Sequence, residues 1–466
     1  MGIRLQIDNA CWLGDDGWFH RGTIRIANGR IAKLESDFAA DAPCGDEIVV
    51  PGLIDAHVHL REPGQAYKEG IANGTAAALK GGVATVLDMP NNRPPIATRE
   101  RFEQKRALYA RKSRVNYGLF WQATDGGEPA PETAAGAKIY MAQSSSLPAI
   151  GDADALARIF RAQDLVVVHA EDERRFFDNV ENSRVPSPSR QAQGEREVYS
   201  AAAWRGERGS VSDRSGNSFP RCGKLSHHLR RPRAAIMAAL ASLEIALRKT
   251  PAPARPRLVV AHCGTVEELA WVRKMKRAGY DVWAETCPHY FLLTEEDYLR
   301  RGAALQVNPP LRSEEDRAAI YEAVKNGGID FVSTDHAPHA PAEKAGKNPP
   351  SGIAGIEWLG PILLTLAKRG EISWKRYLEL SGQNAARCFE IADRGGIREG
   401  AWADLAFVAF GQAAKQARER VATRAGFRPY ADFDFAARVR ATLVNGQTAW
   451  SEGRVRSGVR GKEVFA

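Results

Sequence analysis

The chain has 466 residues, 44% of them hydrophobic and 26% charged, which is long enough for one large α/β barrel together with a smaller module. A formal net charge of +9 is typical of proteins that bind nucleic acid or an anionic membrane. Most of this charge is local, because the segment from Arg184 to Arg233 has eleven basic and four acidic residues and so carries +7. That segment is rich in Ser, Gly and Pro, which is typical of a solvated loop, so binding to nucleic acid is not expected.

The amino terminus, MGIRLQIDNA, lacks a basic start followed by an apolar run, and no stretch has the unbroken apolar length needed to cross a bilayer. The cysteines form no CxxC pair and no framework spacing, which favours a reducing compartment. They are Cys11, Cys44, Cys222, Cys263, Cys287 and Cys388. We therefore expect a cytoplasmic protein without disulfides and without a membrane partner.

Both ends of the chain have the pattern of β-strands joined by tight turns. Residues 1–50 alternate apolar and polar side chains around Asn28-Gly29, and the end of the chain contains the runs DLAFVAF and VRATLVNGQTAW with Asn445-Gly446. Asn-Gly between alternating runs is typical of a two-residue hairpin turn. We predict one small β-sandwich module, built from residues 1–50 and 396–466 together.

Short apolar runs separated by helix-length stretches occupy the middle of the chain. The runs are LIDAHVHL (53–60), VATVLDM (83–89), VNYGLF (115–120), AKIYM (137–141), LVVVHA (165–170), LVVAHC (258–263), DVWAET (281–286) and IDFVST (329–334). This alternation predicts parallel strands covered by helices, and eight such strands would close a (β/α)8 TIM barrel over residues 51–395. The active site of a barrel lies at the carboxyl ends of its strands, so polar residues there are the candidates for function.

Two histidines end the first apolar run. His57 and His59 lie two residues apart, and in a strand such residues face the same side, so their imidazoles converge. The pair is by itself a weak signal, because buried histidines are often satisfied by hydrogen bonds. Four later runs also end in polar residues, which are Lys138, His169, His262 and Asp335. Packing alone rarely places such a set at strand ends, so we predict a metal site.

Four segments resemble motifs of the dihydroorotase family, within the amidohydrolase superfamily. They are PGLIDAHVHLREPG, GGVATVLDMPNNRPP, STDHAPH and REGAWADL, and the resemblance extends over nearly the whole chain. It implies a zinc-dependent cyclic amidohydrolase that interconverts N-carbamoyl-L-aspartate and (S)-dihydroorotate in pyrimidine (UMP) biosynthesis. It also implies a small-molecule substrate, and assembly into a homo-oligomer is left open.

The resemblance implies two zinc ions in each subunit. By similarity, His57, His59 and Asp335 hold the first zinc, His169 and His262 hold the second, and Lys138 bridges both as a carbamate formed with carbon dioxide. Some dihydroorotases use an Asp bridge instead, but KIYMAQSSS resembles the lysine pattern. A metal pair acidifies the attacking water and polarises the amide carbonyl, and Asp335 is placed to act as the general acid and base.

Arg61 follows the histidine pair by two residues, so it faces the same site, and its planar guanidinium suits a carboxylate such as that of dihydroorotate. The resemblance implies further contacts to that carboxylate from Asn91 and His339. It also implies contacts to the pyrimidine ring from Asn308 and from the Ser351-Gly352 pair, the last through backbone groups; Ser351 departs from the aromatic residue common in the family. His289 and His336 are interpreted as packing or supporting residues rather than ligands.

Residues from about 175 to 226 resemble nothing in the family. Their composition predicts either a flexible insert near the site entrance or an anomalous part of the sequence. Two other functions stay open. One is a hydantoinase or allantoinase acting on an uncharged ring, against which Arg61 and Asn91 argue. The other is an inactive relative that serves as a structural partner of aspartate transcarbamoylase, against which the complete ligand set argues.

Overall fold

The computed structural model of the protein describes residues 4–177, 210–212, 218–220, 226–411 and 421–466. Most of the unusual segment from about 175 to 226 lies outside the described residues, so the prediction of a flexible insert stays a prediction. Two short antiparallel strands within it, Ser210–Ser212 and Ser218–Pro220, are described.

Strands dominate both ends of the described chain and alternate with helices between them. The strands are, in chain order, β1 (Arg4–Leu13), β2 (Phe19–Ala27), β3 (Arg30–Ala40), β4 (Glu47–Pro51), β5 (Leu53–Val58), β6 (Val83–Asp88), β7 (Asn116–Leu119), β8 (Trp121–Gln122), β9 (Ala137–Tyr140), β10 (Leu165–His169), β11 (Ser210–Ser212), β12 (Ser218–Pro220), β13 (Arg257–Val260), β14 (Val282–Thr286), β15 (Phe331–Val332), β16 (Leu405–Phe410), β17 (Ala437–Val444), β18 (Gln447–Ser451) and β19 (Arg454–Val455).

The helices lie mostly between the central strands. They are α1 (Ile71–Lys80), α2 (Arg99–Lys112), α3 (Ala153–Arg161), α4 (Ser226–Arg230), α5 (Arg233–Lys249), α6 (Val266–Arg277), α7 (Pro288–Leu292), α8 (Glu295–Arg301), α9 (Glu314–Asn326), α10 (Pro341–Lys344), α11 (Leu359–Lys368), α12 (Trp374–Leu378) and α13 (Asn384–Cys388). Several begin at a side chain that accepts a hydrogen bond from the first turn, as Thr98, Asp152 and Ser313 do for α2, α3 and α9.

Strands from the two ends of the chain pair with each other. The order β19-β18-β17-β16-β4-β1-β2-β3 forms one eight-stranded sheet, in which β16 runs antiparallel to β4. Both predicted Asn-Gly turns are present, with positive φ at Asn28 (54°), Gly29 (79°), Asn445 (50°) and Gly446 (74°). Asparagine and glycine adopt this left-handed conformation more readily than other residues, which is why the hairpins form at these positions.

The central strands are parallel, and each predicted apolar run contains one, so those strands are confirmed. They pair in the orders β5-β6-β7 and β15-β14-β13-β10-β9-β8. Only Phe120 separates β7 from β8, and a parallel bridge joins Val58 of β5 to His336, just after β15. Their residues are mostly buried, as expected of parallel strands covered on both faces.

Cys11 and Cys44 form a disulfide, which contradicts the expectation of a chain without disulfides. The cysteines are 33 residues apart, a spacing that carries no signal by itself, but the hairpins β1 to β3 fold back and bring their Cα atoms to 6.0 Å. Cys263, Cys287 and Cys388 are free and buried.

Within the described ranges, no helix has both the length and the apolar character needed to span a membrane.

The disulfide can be tested by counting thiols. Without reductant, the denatured protein should show at least two reactive thiols fewer than the six of the reduced protein, because Cys11 and Cys44 are bonded to each other. Cys44→Ser should lower the free energy of unfolding by about 3–4 kcal/mol, since a crosslink restricts the unfolded chain. Chemical denaturation measures this, and reductant should abolish the difference between the two proteins. Six reactive thiols in unreduced protein would contradict the assignment.

Candidate metal and substrate site

A cavity of about 240 Å³ lies at the carboxyl ends of the central strands. Every site residue predicted from the sequence lines it: His57, His59, Arg61, Asn91, Lys138, His169, His262, Asn308, Asp335, His339, Ser351 and Gly352. The structure therefore brings together residues that are up to 295 positions apart, from His57 to Gly352. The role of each residue remains a prediction.

His57, His59 and Asp335 form a compact buried group, whose potential ligand atoms all lie within 4.8 Å of one another. Asp335 Oδ1 lies 2.9 Å from His59 Nε2 and 3.5 Å from His57 Nε2. Although burial by itself would raise the pKa of Asp335, the two neighbouring imidazoles hold the pKa well below its usual range. Asp335 is therefore a carboxylate anion at neutral pH.

Both rings are held from their outer side. His57 Nδ1 lies 3.0 Å from Glu285 Oε1, and His59 Nδ1 lies 2.6 Å from Asn91 Oδ1, so each Nδ1–H donates outward. Burial lowers the pKa of His59 to about 4, which leaves its Nε2 without a proton at neutral pH. An unprotonated nitrogen and a carboxylate oxygen then face each other across 2.9 Å, an arrangement that a shared cation stabilises. The group fits a divalent metal.

His169 and His262 form the second group, with His169 Nδ1 at 3.0 Å from His262 Nε2. His169 Nε2 lies 3.0 Å from the buried carboxylate of Glu171, which Arg231 also contacts at 3.1 Å. His169 Nε2 is thus occupied by its contact with Glu171, whereas His169 Nδ1 faces His262. Burial lowers the pKa of both histidines, so both are neutral and suited to bind a metal.

Lys138 lies on β9 and is buried among these groups. Its Nζ has no hydrogen-bond partner among the described residues, although it lies 5.5 Å from the centre of the Tyr140 ring. Burial lowers the pKa of Lys138 to about 8, and its charge acts on His169 and His262. A buried amine without a partner is costly, so its surroundings favour either the neutral form or a chemical modification.

Arg61, His339 and Lys68 form the basic side of the cavity. Lys68 Nζ donates to His339 Nδ1 at 3.0 Å, so the His339 Nε2–H donates to Ser351 O at 2.9 Å. Arg61 Nη2 lies 3.3 Å from the same ring, and Arg61 Nε is buried without a partner among the described residues. Burial and the charge of Arg61 lower the pKa of His339, which stays neutral. Arg61 therefore brings a cation to the wall of the cavity, which suits an anionic ligand.

The residues predicted to hold the ring lie on the opposite loops. Asn308 Oδ1 is buried without a partner in the part of the chain that is described. The Gly352 N–H donates to Gln306 O at 2.8 Å, and the Ser351 hydroxyl accepts from Gln306 Nε2 at 3.2 Å. The Gly352 amide is thus already used within the protein, which limits the predicted backbone contact to the other main-chain groups of this pair.

The backbone at the strand ends is constrained. Arg61, His262 and Asp335 have positive φ values of 64°, 44° and 44°, which non-glycine residues keep only where their surroundings hold them. Asp55 supplies one such hold, because its carboxylate accepts from the Thr334 N–H at 3.0 Å and the Thr334 hydroxyl at 2.6 Å. Burial raises the pKa of Asp55 to about 7. It links β5 to the segment that carries Asp335.

His289 and His336 do not line the cavity, and both are fully buried, which agrees with their interpretation as packing or supporting residues. Glu285 and Glu171, which hold the histidine rings from outside the cavity, and Arg231, which lines the cavity and pairs with Glu171, were not predicted from the sequence. A signal for Glu285 existed, because it is the one acidic residue inside the otherwise uncharged run VWAET of β14. Glu171 carried a similar signal, because it follows His169 by two residues. Arg231 carried none, because it belongs to an arginine-rich segment.

Comparison with known proteins gives the family. The model of the Amidohydrolase family matches residues 48–125 and 247–449. A dihydroorotase from Bacillus caldolyticus is 33% identical over 97% of this chain and 100% of its own length. An allantoinase from Rubrobacter xylanophilus is also 33% identical, over 95% of this chain and 93% of its own.

Solved structures share the fold. An L-hydantoinase from Arthrobacter aurescens has a TM-score of 0.75 at 21% identity, with 97% of each chain covered. A D-hydantoinase from Thermus sp. has a TM-score of 0.73 at 20% identity, over 99% of this chain and 100% of the other. Together with the family match, these likenesses imply a TIM barrel with a β-rich domain. The family model and the full-length relatives confirm the resemblance predicted from the sequence motifs, and the chain belongs to the amidohydrolase family.

Proposed function

We propose that this protein is a dihydroorotase, a cyclic amidohydrolase that interconverts N-carbamoyl-L-aspartate and (S)-dihydroorotate. In the hydrolytic direction, water adds to the ring amide carbonyl and the C–N bond breaks, which gives the open-chain acid. The observation that carries the proposal is the Arg61 guanidinium in the cavity of Asp335, with Nε unpartnered among the described residues. Full-length relatives named dihydroorotase support it.

The residues present fit two divalent metal ions, which we propose are zinc. His57, His59 and Asp335 would hold one, and His169 and His262 the other, because the outward nitrogens of His57, His59 and His169 already contact Glu285, Asn91 and Glu171, which leaves their inward nitrogens for a metal. When bound, such ions lower the pKa of water and polarise an amide carbonyl. Neutral imidazole and carboxylate are ligands that zinc prefers.

Lys138 is proposed to bridge the two ions as a carbamate. Its neutral amine nitrogen adds to the carbon of carbon dioxide and releases one proton, which leaves a single negative charge on the new group. The buried and unpartnered Nζ supports this, because the reaction needs an uncharged amine and gives oxygen atoms for the neighbouring cations.

Asp335 is the proposed general acid and base. It is ionised at neutral pH, buried at the centre of the cavity, and close to the atoms that define the first metal group. From that place its carboxylate can take the proton of the attacking water and return it to the leaving ring nitrogen. Ring closure runs the same two transfers in reverse.

Substrate recognition is proposed for the basic side of the cavity. Arg61, Asn91 and His339 would bind the carboxylate that dihydroorotate carries, and Asn308 with the Ser351-Gly352 pair would hold the ring. The charged fork of Arg61 beside the Asn91 amide suits one carboxylate held by several hydrogen bonds, and His339 would join them by turning its Nε2–H from Ser351 O to the ligand. An uncharged ring would leave this side of the cavity without a partner.

The architecture proposed for this activity is a closed (β/α)8 barrel over residues 51–395, beside a β module built from residues 1–50 and 396–466. The parallel strand orders support it, and so do the bridge from Val58 to His336 and the eight-stranded sheet shared by the two ends. In such a barrel the strand ends that carry the proposed ligands all open into one site.

A direct comparison of substrates tests the proposal. Zinc-reconstituted protein should hydrolyse dihydroorotate at least tenfold more efficiently than hydantoin or allantoin, because each charge-assisted bond to the carboxylate contributes about 1.5–3 kcal/mol. Steady-state kinetics with the three substrates under one set of conditions measures this. Preference for allantoin or hydantoin would favour the alternative that the allantoinase relative suggests. Metal-loaded protein inactive on all three would point to a structural partner.

Lys138→Ala should lose most bound metal and nearly all activity, because two adjacent cations would repel each other without an anionic bridge. Metal analysis and dihydroorotate turnover measure both losses. Short carboxylic acids such as propionate should restore part of the activity, whereas propylamine, the matched amine, should not. Normal metal content and turnover in this variant would show that Lys138 is not the bridge.

Arg61→Met keeps the apolar stem but removes the guanidinium. The kcat/KM for dihydroorotate should fall roughly tenfold to a few hundredfold, while metal content stays normal, because the lost bond contributes about 1.5–3 kcal/mol. Arg93→Met is the matched control, since Arg93 lines the same cavity but is exposed, and its fall should be about threefold or less. Unchanged hydrolysis in the Arg61 variant would remove the main support for an acidic substrate.

A further inference from the structure

Lys105 lies on α2 and is fully buried, yet it does not line the cavity. Its Nζ lies 2.6 Å from Asp88 Oδ2 and donates to Met89 O at 2.8 Å and to Asn92 Oδ1 at 3.0 Å. A lysine is rarely buried without such partners, because an unpaired charge in the interior is costly. All three partners belong to the end of β6 or the loop after it, so one side chain on α2 holds that loop.

The same contacts extend to the loop after β5. Asp88 Oδ1 accepts from the Leu60 N–H at 2.8 Å, while its other oxygen faces Lys105. Asn92 Nδ2 donates to Pro63 O at 3.1 Å, while its Oδ1 accepts from Lys105. Residues 60–63 and 88–92 are therefore joined twice, and each link passes through a group that Lys105 binds.

Two of the residues held in this way are direct neighbours in sequence of residues that line the cavity. Arg61 directly follows Leu60, and Asn91 directly precedes Asn92. Arg61 also has a φ of 64°, a conformation that a non-glycine residue keeps only where neighbouring contacts fix it. The two loops also approach each other closely at Gly64, where the Cβ of any other residue would lie only 1.8 Å from Arg93 O.

We propose that Lys105 is a positioning residue for substrate recognition, which fixes Arg61 and Asn91 from outside the cavity through Asp88 and Asn92. The inference rests on the proposed function, in which these two side chains bind the substrate carboxylate. Lys138, His169 and His262 lie on or just after other strands, and the His59 ring, which Asn91 contacts, is also held by Asp335, so loss of Lys105 acts on binding of the acid more than on the metals. A displacement of about 1 Å is enough to weaken a bond that depends on orientation.

Lys105→Met tests the inference, with Lys80→Met as the matched control. Lys80 is also a buried helix lysine, paired with Glu357 at 2.9 Å, but it precedes β6 at the end remote from the cavity. In Lys105→Met, KM for dihydroorotate should rise about tenfold or more, kcat should fall less, and metal content should stay normal. Lys105→Arg should restore part of the loss, and Lys80→Met should keep the wild-type KM.

Asn92→Ala is the second variant, for use if Lys105→Met does not fold. It removes the link to Pro63 and leaves the Lys105–Asp88 pair in place, and it should also raise KM without loss of metal. If either folded variant had the KM of the Lys80 control, Lys105 would be an ordinary structural ion pair and the inference would be wrong. If the wild-type protein failed to hydrolyse dihydroorotate, the proposed function would fail and this inference with it.

Discussion

The contact between His59 Nε2 and Asp335 Oδ1 sets the conditions for the rest of the site. Because Asn91 takes the proton on the other side of the His59 ring, an electron pair on nitrogen faces a carboxylate oxygen at 2.9 Å. Such a pair is stable only when a cation lies between or beside the two atoms. The fold must therefore hold both groups in place from behind, and this need explains the arrangement of buried charges around the cavity.

Three buried carboxylates meet that need in a similar way. Glu285 holds His57, Glu171 holds His169, and Asp55 binds the Thr334 amide and hydroxyl just before Asp335. Each acts from outside the cavity and fixes a ring orientation or a strained strand end, which is how supporting groups usually set the geometry of metal ligands. Glu171 is in turn paired with Arg231. The orientation of the proposed metal ligands thus depends on three carboxylates that do not line the cavity.

The central strands and the residues at their ends could be predicted from the sequence, because short apolar runs that end in His, Lys or Asp carry a local signal. The supporting residues could not, since their partners are remote: Glu285 and His57 are 228 positions apart. Lys105 shows the difficulty, because α2 is rich in charged residues, and only its spacing with the buried Phe102 and Tyr109 marks it as inward-facing. The Cys11–Cys44 bond was missed for the same reason, as no local pattern brings the two residues together.

The proposed metal ligands and the proposed substrate-binding residues lie in different parts of one cavity, because they belong to different strands and loops. The groups suited to metal lie at the ends of β5, β10 and β13, within β9 and after β15, whereas Arg61 and Asn91 lie on the two loops that Lys105 and Asp88 join. Relatives named dihydroorotase and allantoinase are equally similar to this chain at 33% identity, so overall similarity does not distinguish their substrates. Asn91 links the two functions, because it holds the His59 ring and also lines the side of the cavity where Arg61 lies. A change in ring substrate can therefore arise in these two loops, provided that the contact from Asn91 to His59 is kept or replaced.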